Sequence, residues 1–311
     1  MTPIENNEWI VAVPLLLITT LLWAFSFSLI GVYLAGQVDS WFAVLVRVAL
    51  AALVFLPFLR WRGVRPRQAL AYMSVGACQL GLMYLFYYPA FLYLTVPEVL
   101  LFTIMTPLYV TLIYDLLQGR RLRPGYLGSA LLAVVGALII RYNPLSSQFL
   151  FGFALIQGAN LCFALGQVGY KRLMEVMPLP QYRAFSWFYL GALAIALPAW
   201  WLYGNTQQLP SSPLQWGILL WLGVGASGLG YFMWNYGATQ VDAGTLAIMN
   251  NALIPAGLLV NLAIWQQHPD WLRLTLGGTV IALSLWVHRR WVVPHRAQTA
   301  ADRRHDGASA E

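Results

Sequence analysis

IVAVPLLLITTLLWAFSFSLIGVYL, from Ile10 to Leu34, runs twenty-five residues without a single charge. As a helix rising 1.5 Å per residue it exceeds the ~30 Å hydrocarbon core of a bilayer. It follows Glu5 and Glu8, with neither a basic leader nor a small-residue cleavage site, so it reads as a retained anchor and not as a removable signal. The rest of the chain repeats the pattern. Of 311 residues 59% are hydrophobic and 9% charged, where a soluble domain carries roughly 25% charged residues. Backbone polar groups cannot stay unpaired in lipid, and the period-2 alternation of a barrel strand is absent, so the fold class is an all-α membrane protein.

Apolar runs and polar breaks place further spans at Trp41–Leu59, Gln68–Leu92, Pro97–Leu117 and Gly125–Ile140, then at Phe149–Leu173, Arg183–Tyr203, Leu214–Tyr236, Ala243–Trp265 and Trp271–His288. Ten transmembrane helices result. With the N-terminus inside, fifteen of the 18 basic residues fall on the cytoplasmic side, among them Arg60, Arg62, Arg65, Arg67, Lys171, Arg172 and Arg183; only Arg141 and Arg273 lie outside, and Arg47 sits within a span. Basic residues near span ends are retained in the cytoplasm, which predicts both termini there and makes the +7 net charge a matter of topology, not of nucleic-acid binding.

Tyr88, Ala90 and Pro107 recur as Tyr236, Ala238 and Pro255 at one offset of 148 residues, and Trp23-Ala24-Phe25 answers Phe163-Ala164-Leu165. Five spans per half force opposite insertion of the halves, so residues 1–290 read as one domain of two inverted repeats, 10–141 and 149–290, followed by a disordered cytoplasmic tail over 291–311. Inverted repeats are built into many carriers, with the substrate near the midplane between them.

Polar residues within spans are the candidate site. Gln157, Asn160, Ala164, Gln167 and Lys171 share one helical face, and Asn160 and Gln167 are taken as substrate contacts; interhelical hydrogen bonding is the plainer alternative. Asn250 and Asn251 stand mid-span where the repeat has Phe102 and Thr103, so symmetry breaks chemically there. Trp23, with Tyr84 and Tyr88 in the third span and Tyr231, Trp234 and Asn235 in the eighth, forms candidate aromatic walls, although such clusters also make interfacial belts. Arg47, roughly 10 Å into the second span, needs an anion. Glu98 is the expected internal partner and a substrate carboxylate the alternative.

Cys78 and Cys162 lie in spans and read as small buried thiols, and no metal or other cofactor is implied. An intramembrane transferase is the rival class, but the four histidines, His268, His288, His295 and His305, lie at or beyond span ends and no nucleophile pairs with a base in the bilayer. No carboxylate sits at the midplane, so weak dependence of transport on a proton gradient is expected.

Val44-Leu45-Val46-Arg47-Val48-Ala49-Leu50, with Pro107 and Pro255, resembles the EamA-type members of the drug/metabolite transporter superfamily over the whole chain. Trp23-Ala24-Phe25-Ser26-Phe27-Ser28, Gly169 to Glu175 and the run Gly230 to Asn251 resemble its biotin-transporting branch. The resemblance implies a multi-pass protein of a bacterial inner membrane that takes up a small molecule, biotin, by alternating access. The acidic residue common after the fourth span is missing around Gln118 and Gly119. From the residues alone, amino acids and nucleosides stay open as substrates.

Overall fold

A computed structural model of the chain describes residues 3–117, 132, 135, 139, 147–241 and 243–265, together with 271, 272, 275, 276, 278–280, 283 and 286. The described elements are helices. α1 (Pro3–Leu29) runs on as a π-turn over Ile30–Leu34. α2 (Ser40–Phe55) closes in a 3-10 turn. α3 (Pro66–Gly76), a π segment (Ala77–Leu82) and α4 (Met83–Ala90) form one rod. α5 (Val96–Phe102) passes through the 3-10 turn Thr103–Met105 into α6 (Thr106–Leu117). α7 (Ser147–Val176) and α8 (Gln181–Tyr203) follow. A second broken rod joins α9 (Pro213–Leu220), a π segment (Trp221–Leu229) and α10 (Gly230–Gln240). α11 (Ala243–Trp265) completes the set.

Seven of these helices are long and apolar enough to cross a membrane, and their bounds differ by at most a few residues from those read off the sequence: Val11–Leu34, Ser40–Phe58, Pro66–Ala90, Val96–Tyr114, Gln148–Val176, Gln181–Tyr203 and Pro213–Gln240. The apolar stretch Ala252–Trp265 falls within the ninth expected span. Most of the fifth span, half of the tenth and the 291–311 tail lie outside the described residues.

Local chemistry starts these helices where the sequence breaks polarity. Asp39 accepts the Phe42 N–H at 2.8 Å, and Ser212 accepts that of Gln215 at 3.2 Å ahead of Pro213. Thr95 and Glu98 form a capping box around Pro97, with the Glu98 carboxylate accepting from the Thr95 N–H at 2.8 Å.

By packing, the chain divides into two units, residues 1–106 with 146–268, and residues 107–145 with 269–311. In the smaller unit the described Leu116, Leu117, Leu272 and Trp286 are exposed. The larger unit holds all that follows. There α1 packs on α10 and α11, α8 on α2 and α3, and α4 on α7. The α3–α8 crossing brings backbones together: a Cβ on Gly76 would lie 1.8 Å from the Phe188 carbonyl oxygen, and one on Gly191 1.8 Å from that of Met73. Small residues give such approach in lipid, where association relies on close packing. Cys78 and Cys162 are free thiols, Cys78 donating to the Cys162 carbonyl at 3.6 Å.

The π segments set the side chains of the site. Moved by 148 residues, Ala77–Leu82 falls on Gly225–Gly230, within and just beyond the second segment. A π-turn shifts the hydrogen-bond register and frees carbonyls for other donors. Trp23 Nε1 takes that of Ala226 at 2.9 Å, and the Tyr189 hydroxyl donates to those of Ser227 and Gly228 at 2.6 and 2.8 Å.

Candidate substrate cavity

A cavity opens among α1, α2, α4, α7, α10 and α11, the 3-10 turn after α5 and Thr106 at the start of α6. Seven of the residues expected at the site line it: Trp23, Arg47, Tyr84, Asn160, Tyr231, Trp234 and Asn250.

One wall is a nest of rings. Trp23 lies 4.9 Å from Trp234, 5.0 Å from Tyr231 and 5.8 Å from Phe163 between centroids. Trp23 and Phe163, matched with each other in the sequence comparison of the two halves, touch each other. The hydrogen bond to Ala226 locks the Trp23 indole, so this residue is a cavity wall and no interfacial belt.

Arg47 also lines the cavity and is 2% exposed. Its Nε donates to Ser227 Oγ and its Nη1 to the Tyr88 hydroxyl at 3.2 Å. The guanidinium carbon stands 4.3 Å from the Tyr84 ring centroid, a cation–π contact, and Tyr84 and Ser227 share a 2.8 Å hydroxyl bond. Expectation and structure part here. Glu98 does not pair with Arg47; its carboxylate is held by its own helix start, on Thr95 N and Oγ1. Among the described residues no carboxylate meets Arg47 and no acceptor meets its Nη2. Hydroxyls and ring faces solvate the cation without neutralising it. What remains is a fixed positive charge on an apolar cavity wall, suited to an anion.

Two amides belong to the lining as well. Asn160 Nδ2 donates to the Phe102 carbonyl at 2.9 Å and to Gln157 Oε1 at 3.3 Å, and Asn250 Nδ2 to its own helix at Leu246, 3.0 Å. Both Oδ1 atoms have no donor among the described residues and can accept N–H groups of a ligand.

Three of the expected contacts lie behind the wall. Tyr88 supports Arg47. Gln167 accepts from Trp234 Nε1 at 3.5 Å, and Asn235 is locked in a reciprocal amide pair with Gln79, at 3.1 and 3.2 Å, fully buried. All three make hydrogen bonds across helices, while Gln167 Nε2 has no partner among the described residues. The Asn251 side chain lies outside the described residues. Ser227, Thr103 and Thr106 were missed; the glycine-rich run Gly223 to Gly228 was the available sign, since such runs let a helix unwind and expose carbonyls.

Helices of bilayer length around a part-polar internal cavity define the class of polytopic small-molecule carriers. The chain belongs to the EamA-like transporter family, whose sequence profile matches residues 10–142 and again 150–289. Among its relatives, the "Biotin transporter" of Salmonella typhimurium is 65% identical over 297 residues, covering 96% of this chain and 99% of its own. The "Biotin transporter" of Escherichia coli is 64% identical over the same shares, and the "Probable biotin transporter" of Pseudomonas aeruginosa 59% identical over 276 residues, 88% of this chain and 96% of its own. A solved crystal structure at 18% identity superposes with a TM-score of 0.62 over 94% of this chain and 99% of its own, a shared fold.

Proposed function

We propose that the protein takes up biotin across a bacterial inner membrane by alternating access. The observation that carries the reading is Arg47, a buried cation with no carboxylate partner among the described residues, facing a cavity walled by rings. Biotin matches that layout: its valerate carboxylate suits Arg47 Nη2, its fused rings the faces of Trp23, Trp234 and Tyr231, and its two ureido N–H groups the free Oδ1 atoms of Asn160 and Asn250. The names of the relatives at 59–65% identity support the same substrate. An amino acid fits less well, because among the described residues no Asp or Glu lines the cavity to meet an ammonium group.

The carrier has ten spans in two inverted halves, 10–141 and 149–290, with both termini cytoplasmic. Support comes from the twofold family match, from the π segments recurring at the 148-residue offset and from the fifteen-to-two distribution of basic residues. Uptake of radiolabelled biotin into a strain without other biotin import, with and without this chain, tests the assignment. Saturable, chain-dependent uptake is expected; equal uptake in both strains would overturn it.

A further inference from the structure

Five arginines gather at one end of the bundle, away from the cavity. The turn from α2 into α3 reads Arg60-Trp61-Arg62-Gly63-Val64-Arg65-Pro66-Arg67, with all four arginines exposed and Gly63 bending the chain at φ +83°. This turn packs on the start of α8. The Phe58 ring lies 5.5 Å from Tyr182 and that of Trp61 4.7 Å from Trp187, while Gln68 Nε2 donates to the Met177 carbonyl at 3.0 Å. Arg183, between Tyr182 and Trp187, joins the four arginines of the turn.

Among the described residues none of the five has an ion pair, and Glu175, at the end of α7, is taken by Arg172 at 2.9 Å. Unmet buried groups here are donors: Arg183 Nε, and Trp187 Nε1 on a side chain 2% exposed, have no acceptor. α3 and α8 both begin here without a side-chain cap, so two positive helix ends add to the potential. Trp61 is 72% exposed, in the manner of aromatic side chains that sit at headgroup level.

We propose that this end of the bundle binds the headgroups of anionic phospholipids, the phosphodiester being held by the arginines of the turn and Arg183. Retention of basic loops during insertion accounts for positive charge, but it does not call for acceptors in the folded protein. Four exposed arginines without an ion pair among the described residues, beside two uncapped helix starts, do. The inference rests on membrane location alone and is independent of the substrate carried.

Full-length protein in neutral detergent is titrated with phosphatidylglycerol, phosphatidylcholine or inorganic phosphate, reading bound lipid by native mass spectrometry and the unfolding temperature. Phosphatidylglycerol is expected to bind and raise the unfolding temperature, and the other two to do neither. A basic residue near an anionic surface contributes about fivefold in affinity, so Arg62→Gln with Arg65→Gln loses roughly 30-fold, while Arg62→Lys with Arg65→Lys keeps most of the binding. Unchanged unfolding of the variants without lipid shows that they are folded. Equal binding of phosphatidylcholine, full binding by the folded Gln variant, or protection by phosphate alone would each overturn the proposal, and none would touch the biotin assignment.

Discussion

Replacing Arg47 with Gln separates a substrate role from a structural one, because the side chain holds both kinds of contact. On the protein side it gives up bonds to Ser227 and Tyr88 and the ring face of Tyr84. Ser227 Oγ keeps its 2.8 Å bond to Tyr84, so the Tyr88 hydroxyl is the group left unmet, at a cost of about 1–3 kcal/mol. The folded protein therefore survives at a lowered unfolding temperature. On the ligand side, a desolvated carboxylate that loses its cation costs about 3–5 kcal/mol. Even the lower value weakens binding by roughly a hundredfold. Biotin methyl ester has no charge to lose and changes by only about a few-fold. Calorimetric titration of both ligands into parent and Arg47→Gln protein closes the cycle. If the variant binds biotin nearly as well as the parent, or weakens acid and ester alike, Arg47 is a structural cation and the reasoning fails.

Trp234→Ala removes ring contacts to Trp23 and Phe163 and is expected to weaken biotin binding about tenfold or more, with Trp234→Phe much closer to the parent, measured as dissociation constants. Gln79→Leu strands the fully buried Asn235 amide at about 1–3 kcal/mol per unmet group, and adding Asn235→Leu recovers part of that loss in thermal unfolding; a double variant worse than the sum of the singles contradicts the pairing. Gly76→Val drives a side chain into the Phe188 carbonyl and leaves no folded protein in membranes, whereas Gly217→Ala, with open space around it, is neutral or stabilising. Among the described residues no carboxylate lines the cavity, so an uncoupler is expected to leave the initial rate of biotin uptake nearly unchanged, and a collapse of that rate would point to proton coupling.

Chemically unusual residues were legible before the fold was in view. An arginine and asparagines inside apolar runs are costly in lipid, and Arg47, Asn160 and Asn250 line the cavity together with the marked aromatic residues Trp23, Tyr84, Tyr231 and Trp234. Legibility failed where partners had to be chosen. Glu98 looked like the counter-ion of Arg47 because both stand near the same end of their spans, yet a capping box four residues long satisfies it locally. Asn235 and Gln167 looked like ligands and turned out to bond across helices. Ser227 escaped notice because its role depends on a π-turn, which leaves little trace in a hydropathy pattern.

The sequence by itself determined that the chain is a helical membrane protein, where the seven spans seen among the described residues begin and end to within a few residues, and which polar groups would be expensive there, since all of these follow from the cost of exposing charge and backbone to lipid. Tertiary structure alone decided which of those polar groups satisfy one another and which are left over. A span reports its own periodicity but not the face turned toward it by a helix a hundred residues away. Whether Arg47 is neutralised depends on which side chains the crossings of α2 with α4 and the second π segment bring within 3 Å or so of it.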